Sequence, residues 1–200
     1  MFLNRRRNIF IVLVAVLIAL SVMFYTCSTN QNYTPHPKGY FRIALPEKKY
    51  AMYAGDDCPF RFELPAYAVV KNYHDSVAEP CWKYIRFPQF NSEIFLSYKK
   101  VNGNIDVLIE DSRTLAYKHT VKAESIDETV LHKPGKGYGI IYDIGGNAAS
   151  SVQFFITDST QNFIRGALYF NVEPQPDSLA PVIEFLRQDV ERMMESVVWK

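Results

Sequence analysis

Cysteine and histidine are scarce in this chain, with three of the first and four of the second among 200 residues. A structural zinc site draws about four Cys or His ligands at short spacing. Beyond the N-terminal region there are only Cys58 and Cys81, with His74 alone between them. No metal site is expected from so thin a set. Excess charge is missing too: 22 Lys and Arg oppose 21 Asp and Glu, a formal net charge of +1. Three of the positive charges are Arg5, Arg6 and Arg7, so the chain without them carries −2. No basic stripe is left to follow a phosphate backbone, which excludes nucleic acid as a partner. A catalytic constellation is also absent. A Ser or Cys nucleophile needs a base within reach and a third group to orient it. His74, His119 and His132 have no matching nucleophile motif, and Ser150 and Ser151 follow Asn147-Ala148-Ala149, which is no nucleophile elbow. His119 falls on the apolar face of a helix, the setting of a packed core histidine. The expectation is a protein that is not an enzyme and needs no cofactor.

What is present begins at the N-terminus. Arg5-Arg6-Arg7 precede an apolar run from Ile9 to Tyr25, and Cys27 follows closely. A basic flank, a greasy stretch and a cysteine at its end have the pattern of an export signal that stops at a lipid-attachment site. Residues 1–26 then read as signal peptide, Cys27 as the lipidated residue, and 27–39 as a linker containing Pro35 and Pro37. Lipoprotein processing favours small residues before the cysteine, whereas Phe24-Tyr25-Thr26 stand here. The other reading is an uncleaved anchor with its arginines held in the cytoplasm. Either way the remaining chain works outside the cytoplasm. In such an oxidising compartment Cys58 and Cys81 are expected to form a disulfide.

Residues 40–200 suit one domain with a real core. Phe41, Ile43 and Leu45 alternate as in a first strand or an extended docking segment. Phe60–Leu64 alternates cleanly, with Ala68–Tyr73 as its expected partner, and Trp82–Phe87 and Ile94–Tyr98 read as two further strands. The period turns helical from Ile105 to Ala123, with Asn104 as the cap. Strands are expected at Thr129–Lys133, turning at Pro134-Gly135, then at Gly137–Ile144, Ser151–Thr157 and Asn162–Val172. In the last of these, Phe163, Arg165, Ala167 and Tyr169 share one face and Ile164, Leu168 and Phe170 the other. A helical stripe from Leu179 to Val197 closes the chain, with Asp177 and Ser178 as caps and Pro181 in its first turn. The fold class is α+β: a single domain, a largely antiparallel sheet and two main helices. The order of elements resembles the Mog1/PsbP-like architecture, an analogy of fold that carries no function.

Several segments together resemble the gliding motility lipoprotein GldD family. They are Pro35–Ile43, Cys58–Ala68, Cys81–Lys99, Tyr117–Glu128, Tyr138–Ser159, Phe163–Phe170 and the tail Asp177–Lys200. They span nearly all of the chain after Cys27. The resemblance implies a cell-envelope lipoprotein tied to the gliding machinery and to the type IX secretion apparatus that shares its parts. It supplies no catalytic residue, and its lipid cysteine corresponds to Cys27. The implied setting is the outer membrane, facing the periplasm, with a lipid anchor to the membrane and other envelope proteins as partners.

Interaction candidates come from the residues themselves. Tyr142, Asp143, Asn147 and Ser150 surround Gly145-Gly146, where small and polar residues link two apolar strands, and loops on rigid scaffolds commonly bind. The same glycines would serve a plain hairpin. Trp82 is either a surface anchor or a ring packed on the disulfide. Three Asp-Ser triplets, beginning at Asp75, Asp158 and Asp177, match a short envelope O-glycosylation pattern. A periplasmic ligand-binding module, using a pocket between sheet and helix, is the alternative to a protein-binding role.

Overall fold

The computed structural model describes residues 11–22, 42–54, 58–73, 79–133, 137–172 and 176–200, and for residues 176 and 177 the backbone alone. The chain separates into two units, Met1–Tyr40 and Phe41–Lys200. In the first, residues 11–22 are helical (α1). Among the described residues no helix is long and apolar enough to cross a membrane. Cys27, the linker, Phe41, His74, Asp75-Ser76 and the Pro134-Gly135 turn lie outside the described residues.

The second unit is α+β and its strand pairs are all antiparallel. Its strands are β1 (Tyr50–Tyr53), β2 (Phe60–Pro65), β3 (Val69–Asn72), β4 (Lys83–Phe87), β5 (Ser92–Lys100), β6 (Ala123–Lys133), β7 (Gly137–Gly146), β8 (Ser150–Thr157), β9 (Asn162–Phe170) and β10 (Val198–Trp199). Its helices are α2 (Ile105–Tyr117) and α3 (Pro176–Ser196). Seven strands form one sheet in the order β3-β4-β5-β9-β8-β7-β6, and β1-β2-β10 form a small second sheet.

Side-chain alternation assigns the two faces of the large sheet. Ile85, Ile94, Leu96, Ile141, Val152, Phe154, Ile156, Ile164 and Leu168 point to one face, and there they meet Val182, Leu186, Val190 and Met193 of α3 and Phe60, Phe62 and Leu64 of β2. This is the main core. Gly166 belongs to it for lack of a side chain, because a Cβ there would lie 2.1 Å from the Phe154 ring. The opposite face holds a smaller cluster of Tyr142, Ile144, Phe155 and Phe163 beneath Ala116, Leu108 and Ile109 of α2. Cys58 and Cys81 are joined in a disulfide with their Cα atoms 5.6 Å apart.

Several elements differ from expectation. Ala68–Tyr73 does not pair with β2: β3 joins β4 in the large sheet, and β2 takes β1 and β10 instead. The Pro65-Ala66-Tyr67 corner turns the chain from one sheet to the other, with Ala68 N donating to Pro65 O at 2.9 Å. Residues 42–49 are extended without a ladder, and β1 and β10 were not expected. Asn104 gives α2 no side-chain cap; its Oδ1 accepts from Asn102 N at 2.8 Å. Helix α2 ends at Tyr117, and β6 starts at Ala123, six residues before the expected Thr129. Helix α3 begins at Pro176, so Pro181 sits in its second turn and deprives the carbonyl four residues earlier of its helical partner.

Candidate functional site

The sequence-derived candidates do not form one surface. Tyr142 is 1% exposed and Ser150 is fully buried, which removes both as contact residues. Alternation along β7 turns Tyr142 under α2, and burial with Glu128 nearby pushes its phenol up to about 12. The Ser150 hydroxyl donates to Val152 O within its own strand. Glycine-rich sequence had suggested a loop here, but β7 runs on through Gly146. Gly146 has φ +84°, and a Cβ there would stand 2.7 Å from Glu124 N, so the residue lets β6 and β7 approach closely.

Asp143 remains partly accessible and lines a groove of about 520 Å³ between the β6–β7 end of the sheet and α3, whereas Asn147 is exposed just after β7 and does not line it. Alternation directs Asp143 towards α3, the opposite way from Tyr142. Arg187 Nε donates to both Asp143 oxygens, at 2.9 and 3.0 Å, Nη1 to Glu191 Oε2 at 3.1 Å, and Nη2 to Thr129 Oγ1 at 3.4 Å. The Asp143 hydrogen bonds hold the Arg187 guanidinium above its usual range. Asp127 and Glu184 line the same groove, leaving it acidic overall. Such a surface can take a basic or hydrogen-bonding segment of a partner.

Trp82 lies outside that groove. Its indole Nε1 donates to Tyr98 O at 3.2 Å, and its ring packs edge-on against Phe95 at 5.5 Å and against Tyr73 at 5.8 Å. Lys99 covers the ring at 5.4 Å and pairs with Glu79. Trp82 is thus part of an aromatic cluster on the sheet, half-buried and fixed.

No group of three or more His, Cys, Asp or Glu suited to a metal occurs among the described residues. His119 lies on the short 3-10 turn Lys118–Val121 after α2, and burial, then the charge of Arg165, lower its pKa. His132 lines a separate groove with Lys133, Arg192 and Glu195. Of the Asp-Ser triplets, Asp158 is spent on its own turn: Oδ1 accepts from the amides of Thr160, Gln161 and Asn162. Asp177-Ser178 lies within α3.

Sequence reasoning missed a buried carboxylate. Asp189 on α3 is 2% exposed and accepts from Tyr67 Oη at 2.5 Å, Tyr50 Oη at 2.7 Å and Lys48 Nζ at 3.0 Å. Lys48 Nζ also donates to Phe185 O at 2.7 Å and lies 4.2 Å from that ring's centre. Burial, then the bond to Asp189, pushes both phenols well above their usual range. A signal existed: Asp189 is three residues after Leu186 and four before Met193, on the apolar stripe itself.

The described residues of the second unit form a disulfide-linked α+β domain with antiparallel sheets. The family model for the gliding motility lipoprotein GldD matches residues 30–199, and the chain belongs to that family. Membership gives it a role in the gliding machinery of the cell envelope. No curated protein matches the sequence. Among solved structures, cyanobacterial PsbP (CyanoP) from Synechocystis sp. PCC 6803 is similar at 10% identity and a TM-score of 0.48, over 78% of this chain and 95% of that one.

Proposed function

We propose that the protein is a non-enzymatic coupling or assembly part of the gliding and type IX secretion machinery. The export signal ends at Cys27, which carries the lipid. Residues 27–39 form the linker, and the domain from residue 40 faces the periplasm from the outer membrane. The acidic groove lined by Asp127, Asp143 and Glu184, with Asn147 exposed just after β7, binds another envelope protein of the machinery, while Trp82 belongs to the aromatic face. The observation that carries this reading is the family match over residues 30–199, joined to a groove whose charges are held in place by Arg187.

Two experiments test it. A photo-crosslinker at Asn147 or Glu184 in living cells should capture one defined envelope protein, and Glu184→Lys should weaken both capture and gliding. Capture spread over unrelated proteins, or full gliding with no capture, would reject the groove as the contact. Replacing Cys27 by Ala should abolish lipid labelling and release the domain from the membrane fraction. Labelling that persists without Cys27 would reject it as the lipid site, and an unlabelled wild type that stays in the membrane fraction would leave the uncleaved-anchor reading in its place.

A further inference from the structure

Helix α2 covers only part of its face of the large sheet. Its cluster draws on β7, β8 and the start of β9, while Tyr84, Phe95, Ser97, Arg165 and Tyr169 on the same face remain half-buried and lie outside it. Register puts Arg165 opposite Ser97 of β5 and Phe155 of β8, at the middle of the seven strands. The other cations there have acids: Arg86 pairs with Glu93 and Lys99 with Glu79. Among the described residues Arg165 has none, and its side-chain hydrogen bond goes from Nη2 to the neutral Gln153 Oε1, at 2.6 Å. A guanidinium has about five N–H donors in a fork that matches a carboxylate or phosphate, and those of Arg165 not given to Gln153 are open to water or a ligand. Removing a cation from water without a counter-charge costs stability.

The geometry points to an oxyanion site at Arg165 that takes the carboxylate or phosphate of an acidic sugar, whose ring lies on Phe95 and Tyr84. Three observations converge on this class of ligand. The guanidinium is central, has a neutral side-chain partner and lies near Tyr169, whose hydroxyl can donate to an anion, while the Ser97 hydroxyl already donates to Arg165 O at 3.4 Å. Phe95 stands against Ala167, two residues from Arg165, and packs tilted against Tyr84 at 5.7 Å between ring centres, within a cluster that also holds Tyr73, Trp82 and the Arg86 guanidinium, so apolar ring surface lies beside the charge. Burial, then the charge of Arg165, disfavours the His119 proton, and an anion bound at Arg165 would offset the second effect. Burial likewise lowers the Arg165 pKa, against an upward pull from Tyr169. The site is separate from the acidic groove, and it stands or falls independently of the protein-coupling role.

The test uses full-length protein in detergent micelles, titrated with D-galacturonate, glucose 6-phosphate, inorganic phosphate and neutral D-galactose, and followed by amide NMR. Both acidic sugars should saturate and shift amides of β5, β8 and β9 with the His119 ring, while galactose binds at least ~10-fold more weakly, the size of one charge-assisted contact. Arg165→Met should lose that binding and raise the Tm, since it removes an unpaired desolvated charge. Arg165→Lys should keep the fold and bind the acids more weakly. No saturable binding, equal binding of galactose, or shifts confined to other strands would overturn the site. Inorganic phosphate binding as tightly as glucose 6-phosphate would overturn the sugar. A clear fall in Tm for both variants would show a structural arginine instead.

Discussion

The two faces of the seven-stranded sheet are built to different ends. The α3 face is closed over most of its width by a 21-residue helix and by the small sheet behind β2, and its apolar residues are nearly all buried. On the α2 face a 13-residue helix closes one side, and half-buried rings and charges occupy the rest. Hydrophobic burial scales with area removed from water, so stability is concentrated on the first face. The second is then free to hold groups that contribute little to folding.

Five measurements by urea unfolding sharpen or break that contrast. Leu186→Ala on the closed face should cost about 2–5 kcal/mol, because Leu186 is wholly buried and surrounded. Asp189→Asn should cost about 3 kcal/mol by leaving Lys48 without its counter-charge. The same cluster should mark the pH profile. Raised Tyr50 and Tyr67 pKa values mean that their contribution is intact below the unfolded value of about 10 and declines as the pH rises past it. Tyr67→Phe should flatten that alkaline decline, and an unchanged profile would separate the cluster from stability. Replacing Cys58 and Cys81 by Ala should cost up to about 3 kcal/mol, the loop-entropy value for a bridge across 23 residues. Leu108→Ala on α2 should cost least, about 1 kcal/mol, as a half-buried residue. A loss equal to that of Leu186→Ala would mean that α2 seals a second full core.

The same asymmetry decided what could be read from sequence. Helix α3, the strand β2 and the two faces of β9 were legible because a long apolar period, or strict alternation ending at a proline, has one good solution. β1 and β10 were not: four and two residues at the margin of a small sheet carry too little pattern. The false pairing of β2 with Ala68–Tyr73 has another cause, since adjacency favours hairpins and the corner at Pro65 is decided by tertiary packing. At the candidate site, Asn147 is exposed and Asp143 half-buried, whereas Tyr142 and Ser150 are buried and were drawn in by glycines that actually serve strand contact. Arg165 carried no motif. Its meaning depends on which neighbours are missing, and that is a property of three dimensions.

The Lys48–Asp189 cluster has a mechanical consequence. Whatever draws on the segment leading into Lys48 meets the Lys48 bonds to Asp189 and Phe185 O on α3 before it reaches the short ladder of β1, which begins at Tyr50. A pull from the N-terminal side is therefore delivered into α3, and it strains an ion pair and an oriented hydrogen bond before β1 begins to peel. A component anchored at one end and loaded at its surface would keep its shape under tension for that reason.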